Sequence, residues 1–137
     1  VPTLTRWFIK TALVYLAAAL LLGLGQALRP LGLTPGWLGA FGPVYFHLLM
    51  VGWVTQLIFG VAHWMFPKAS PDQPRGDERV MWLVYGLLNV GLVLRAVSEP
   101  FVAAHFAFGW LLAAAALLQW LAGLGAAWSL WGRVKVK

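Results

Sequence analysis

Between Pro43 and Pro67 the chain runs through residues 44–66 without a single Asp, Glu, Lys or Arg. At about 1.5 Å per residue this segment makes a helix of roughly 35 Å, enough to cross the hydrocarbon of a bilayer. Prolines suit its two ends, because proline breaks a helix interior but is tolerated in a first turn. The segment is not uniformly apolar, since it holds His47, Gly52, Thr55, Gln56, Gly60 and His63. Polar groups cost free energy against lipid, so these side chains are expected to face protein or a ligand. Any fold for this chain must accommodate a membrane helix that carries two histidines.

Composition extends the constraint to the whole chain. Of 137 residues, 61% are hydrophobic and 10% charged, more apolar surface than a soluble domain of this length hides. The formal charge of +6 does not form a stripe but sits at segment ends, the pattern of membrane-helix flanks and not of a nucleic-acid interface. There is no cysteine, which excludes disulfides, iron–sulfur clusters, thiolate haem ligation and thiol catalysis. A metal would have to be held by His, Met, Tyr or carboxylate.

Three further apolar segments accompany the first. Thr11 to Leu28 follows Arg6, Trp7 and Lys10, an interfacial anchor set, and is expected to be a retained helix, being longer than a signal-peptide core. Val80 to Leu94 is short, so its helix is expected to extend over 77–97, with Asp77 and Glu78 at the positive dipole end and Arg79 and Arg95 snorkelling. The last runs from Phe101 to an anchor group of Trp128, Trp131, Arg133, Lys135 and Lys137. The expectation is one all-α domain, a four-helix membrane bundle with helices at about 7–29, 44–66, 77–97 and 101–131. Even crossing number puts both termini on one side, together with Arg6, Lys10, Lys68, Arg75, Arg79, Arg133, Lys135 and Lys137; only Arg29 and Arg95 fall on the other. The positive-inside rule then gives an N-in, C-in multi-pass protein of the cytoplasmic (inner) membrane. Leu28-Arg29 and Leu94-Arg95 each precede a proline and a histidine-bearing helix, which suggests two hairpins of similar plan.

Two polar sets follow from this arrangement. His47 and His105 are each expected about one turn into parallel helices, at similar depth near the outer face, with Glu99, Arg29 and Arg95 at the same level. Two imidazoles suit axial haem ligation or part of a copper or zinc site, and the arginines suit haem propionates. The other reading is that each histidine bonds a neighbour at the interface. His63 lies about 24 Å further along the helix and about 160° round it from His47, so the two cannot share a site. It falls on a stripe with Gly52, Gln56, Phe59 and Gly60, and Gln119 is expected near its depth. This stripe reads as a second polar or metal site, or a proton path. The competing reading has Gln56 and Gln119 bonding between helices, at about 0.6 kcal/mol each, and His63 at the interface beside Trp64. No charged residue falls mid-membrane, which tells against an ion pump, and no nucleophile–base pair or phosphate loop suggests a hydrolase or kinase.

The run from His47 through Gly52-Trp53-Val54 and Phe59-Gly60-Val61 to Met65-Phe66-Pro67 resembles the histidine-bearing helices of haem–copper oxidase subunit I, and especially small relatives of its cbb3-type and nitric oxide reductase branch. Leu88 to Arg95, followed by Glu99-Pro100, is similar to the same relatives. In that family helices form arcs of four, and the second helix of an arc carries a metal-ligating histidine toward the outer side. The resemblance implies that this chain is one such arc and that His47 is an axial ligand of b-type haem; on the reading of the residues themselves, copper or zinc is the alternative to haem and His105 is the best second ligand. Gly52, Gly109 and the run Ala113 to Ala116 would leave room beside a ring. The family's full ligand set is not present in one chain, so symmetry would complete it: a homotrimer mimicking three arcs, or a dimer sharing haem between two His47 side chains. The expected role is electron transfer or nitric oxide or oxygen handling, as an oxidoreductase acting with partner chains or a respiratory redox partner. The alternatives are a cofactor-free structural or assembly subunit and, third, an oligomeric channel or transporter.

Overall fold

The structure, a computed structural model, describes residues 1–134; Lys135 and Lys137 of the expected anchor group lie outside the described residues. Among these residues the fold is all-helical. Helix α1 spans Thr3–Ala27; α2, Gly42–His47, continues through a π-helical segment, Leu48–Thr55, into α3, Gln56–Met65; α4 spans Glu78–Ser98 and α5 spans Phe106–Trp131. Short 3-10 turns, Arg29–Leu31, Gly36–Phe41 and Glu99–Phe101, occupy the end away from the termini. Four spans are long and apolar enough to cross a membrane: Thr3–Leu31, Gly36–Met65, Glu78–Phe101 and Phe106–Trp131. The protein buries only 17%, 22%, 28% and 11% of their most apolar windows, so the uncovered surface belongs to lipid and the chain is a multi-pass membrane protein.

The helix ends follow local chemistry. Asp77 caps α4 by accepting the Arg79 backbone N–H at 2.9 Å, with Glu78 in the first turn, as a carboxylate at a helix start should. Phe66 turns extended before Pro67 (φ −65°, ψ 152°), which stops α3 abruptly. The fourth span begins at Phe106 and not at residue 101, because His105 is itself the cap: its backbone is extended (φ −154°, ψ 134°) and its ring accepts the Ala107 N–H. The π segment was not expected. In it Thr55 Oγ1 donates to the Met50 carbonyl at 2.8 Å, five residues back, the spacing of a π turn.

Packing is by two antiparallel hairpins, α1 with the second span and α4 with α5. In the first, glycines of one helix receive rings of the other. A methyl group added at Gly60 would lie 2.6 Å from Phe8 Cβ, one at Gly52 would lie 2.7 Å from Tyr15 Cγ, and one at Gly23 would lie 2.8 Å from Tyr45 Cε2. These contacts set an antiparallel register in which α1 and the second span approach closely along their whole length. In the second hairpin Gly91 lets α4 close on the Ala115 carbonyl and the Gln119 side chain, while Gly125 takes Val84. The hairpins meet over a core of Leu4 and Phe8 from α1, Met81, Val84 and Leu88 from α4, and Ala122 and Ala126 from α5. The Thr11 and Tyr85 hydroxyls join α1 to α4 at 2.8 Å.

The glycine contacts predict a selective effect. Gly60→Ala forces Phe8 and the α1 backbone apart and should destabilise the bundle by about 1–3 kcal/mol, the usual cost of overpacking. Gly86→Ala, whose added methyl meets nothing within 4 Å, should be neutral or slightly stabilising. Unfolding titrations in mixed detergent micelles check both.

Candidate functional site

The His47 cluster forms where the start of the second span meets the end of α4. Glu99, one residue beyond α4, accepts from Arg95 Nη1 at 3.0 Å across one helical turn, and both side chains are only 14% exposed. Its second oxygen is buried without a hydrogen bond and lies 3.8 Å from His47 Nδ1. The His47 ring, 26% exposed, has Nδ1 at 2.9 Å from the Pro43 carbonyl. A carbonyl can only accept, so Nδ1 carries the proton and Nε2 keeps its lone pair. A backbone acceptor on one ring nitrogen, with a carboxylate beside it, is the arrangement that orients a metal-ligating histidine and raises the basicity of the other nitrogen.

Of the other expected site residues, Arg95 reaches this cluster through Glu99, while His105, Arg29 and Gly52 are engaged with other neighbours. His105 is exposed, and its Nδ1 lone pair is engaged by the Ala107 N–H at 3.1 Å, which leaves the proton of the neutral ring on Nε2. As the cap of α5 it offers neither nitrogen as a donor without uncapping the helix. Arg29 is exposed and its guanidinium lies over Gly39, within 2.7–2.8 Å of where a side chain there would begin. Gly52 is not open space beside a ring, because Tyr15 fills it. Gly109 has only Val102 near it, at 3.9 Å, and Ala113, Ala114 and Ala116 are exposed on the lipid side of α5, while Ala115 packs on Gly91. Among the described residues no three His, Asp or Glu side chains converge as a metal-binding group.

The polar stripe through His63 is present, but bonded differently from expectation. Gln56, Gly60 and His63 face inward from α3, and Gln56 and His63 are 0% exposed, so His63 is a core residue and does not share the interface with the exposed Trp64. Neither glutamine makes the expected interhelical bond: both amide atoms of Gln56, both ring nitrogens of His63, Thr5 Oγ1 and Gln119 Nε2 are buried without partners in the protein. The reason is spacing. Gln119 lies against Gly91, which brings the α4 backbone close to it but carries no side-chain acceptor. Each such unpaired atom costs about 1–3 kcal/mol if it stays dry.

Above His63 sits a residue whose pattern in the chain reads only as an interfacial anchor. Arg133 is 2% exposed, and its guanidinium donates to the carbonyls of His63 (2.9 Å), Phe66 (2.7 Å) and Pro67 (3.0 Å). Burial, with the charge of Arg75 behind it, holds the group below its ordinary range, yet a guanidinium still keeps its proton. Because Pro67 ends α3 without a following turn, the last carbonyls of that helix have no intrahelical partner, and a cation is the complement to that dipole end. The signal in the sequence is therefore Phe66-Pro67 and not Arg133 itself.

Arg133→Met should cost roughly 1.5–3 kcal/mol, the range for hydrogen bonds to a charged group, and should free the α5 end from α3, whereas Lys10→Met, at an exposed position, should cost little. Denaturant titration together with spin-label distances between residues 66 and 131 would show both effects. No family model matches this chain, and neither a curated protein nor a solved structure is similar to it at a significant level.

Proposed function

We propose that this chain is a b-type haem protein of the cytoplasmic membrane that takes part in electron transfer or in handling nitric oxide or oxygen, with His47 Nε2 as the axial ligand. The observation that carries the reading is the His47 ring itself: its Nδ1 proton is taken up by the Pro43 carbonyl, and the Glu99 carboxylate stands 3.8 Å away. Haem iron, when bound, supplies one-electron exchange and affinity for diatomic gases. The protein's part is to hold the imidazole in one tautomer, to place an anionic oxygen beside it, and to balance that oxygen with Arg95. Copper or zinc on the same nitrogen would need the same tautomer. Since each chain offers one such nitrogen at this end and His105 is a cap, His47 of another copy would complete the ligand set, in a dimer sharing haem or in a trimer round a common centre. Termini on the inner side, with a respiratory redox partner outside or in the membrane, fit the crowding of Lys and Arg at the terminus-bearing end.

A cofactor-free structural or assembly subunit is the second reading. It is favoured by the His105 cap, which turns that imidazole onto its own helix.

Two measurements separate them. Protein purified from haem-replete cells should show a Soret band and sharp reduced α band that vanish in His47→Ala, return on adding imidazole, and persist in His105→Ala; a colourless, metal-free preparation would favour the second reading. In the haem-bound protein, Glu99→Gln removes a negative charge that favours the ferric state, so the midpoint potential should rise in a spectroelectrochemical titration.

A further inference from the structure

We propose that Thr5, Gln56 and His63 form a buried water site between α1 and α3, near the terminus-bearing end and separate from the His47 cluster. Its ligand is neutral and able both to donate and to accept: ordered water. All three residues are 0% exposed, and five of their side-chain atoms have no partner within the protein: Thr5 Oγ1, Gln56 Nε2 and Oε1, and His63 Nδ1 and Nε2.

They share one helix face, with Gln56 and His63 seven residues, or about 10.5 Å, apart on either side of Gly60 and its Phe8 contact, so the site is a row of waters and not a single one. Gln56 precedes Gly60 by four residues and His63 follows it by three, so both side chains stand on the face that Gly60 presents. Across that face the Thr5 carbonyl lies 3.6 Å from where a Gly60 methyl would begin. Thr5 is the third residue of α1, which places the site within a few turns of bulk water at that end.

The chemistry of the atoms selects the ligand. A hydroxyl, a primary amide and a neutral imidazole offer hydrogen-bond donors and acceptors in near balance, which suits water. A metal ion would find one imidazole and no carboxylate, with the Arg133 guanidinium held 2.9 Å from the His63 carbonyl. An anion would meet the amide oxygen and an imidazole lone pair. Left dry, five orphaned polar atoms would cost a sum comparable with the stability of a whole domain. Water bridging them removes that cost. The site does not depend on haem.

The test is water-edited solid-state NMR on the isotope-labelled full-length protein in lipid bilayers, with His63 assigned from the signal lost in His63→Asn. The expected result is magnetisation transfer from water to the His63 ring and the Gln56 side-chain amide on the timescale seen for exposed His105. Silence at both, with His105 visible, would overturn the proposal. In Gln56→Leu the transfer to His63 should fall several-fold while that to His105 is unchanged, and an unchanged His63 signal would show that the two do not share a site. Should Gln56→Leu fail to fold, Thr5→Val removes one hydroxyl at constant shape and is read in the same way.

Discussion

A backbone in hydrocarbon can send its hydrogen bonds only to itself, so a membrane bundle is regular in its middle and does its polar chemistry where helices end or where side chains intrude. This chain follows that division. Its second span ends twice, once at Pro43 and once at Pro67, and each end carries a histidine of its own and draws an arginine from elsewhere. At one end Arg95 is matched by Glu99, and the carboxylate has an oxygen to spare for His47. At the other, Arg133 has no carboxylate at all, and three carbonyls at the negative end of α3 take its place. The two ends solve the same electrostatic problem with opposite resources, and only the first leaves an imidazole nitrogen oriented and free.

Close approach of α1 to the second span makes both ends possible. Gly23, Gly52 and Gly60 lie under Tyr45, Tyr15 and Phe8, and this register fixes how far His47 and His63 stand from the first helix. The same closeness has a cost. Helices that meet through glycine and ring offer few hydrogen-bond partners, so a glutamine and a histidine on the contact face are left without partners in the protein. Small residues and buried polar ones are thus two halves of one design: the former bring the helices near enough to hide the latter.

The four spans were legible in the sequence because length and charge-free runs settle them, and Asp77 with Glu78 marked the start of α4 as it stands. The stripe Gly52, Gln56, Gly60 and His63 was legible too, since α-helical spacing puts those residues on one face and the face proved to be buried. His105 was misplaced by one turn because its role depends on conformation: the same residue inside a helix would project a ring, whereas as a cap it turns that ring onto its own backbone. Arg133 was unreadable for a different reason. Whether an arginine after a membrane helix reaches water or three carbonyls is decided by a chain segment 66 to 70 residues earlier, and its signal is the helix stop at Phe66-Pro67, not any pattern round Arg133.

The π segment bears on what the second span can do. With hydrogen bonds reaching back five residues over Leu48–Thr55, each turn holds more residues than an α-helix, and the angular relation between His47 and the His63 stripe departs from the 160° that regular geometry gives. Gly52 lies inside this stretch and still meets Tyr15, so the widened turns do not loosen the contact with α1; they re-aim what comes before it. His47 immediately precedes the π turns, and its direction toward Glu99 is therefore set by backbone winding as much as by side-chain rotamer. A span with one uniform helical pitch would have to choose between burying Gln56 and His63 against α1 and turning His47 toward α4. Changing pitch between the two lets a single helix hold a histidine for each purpose.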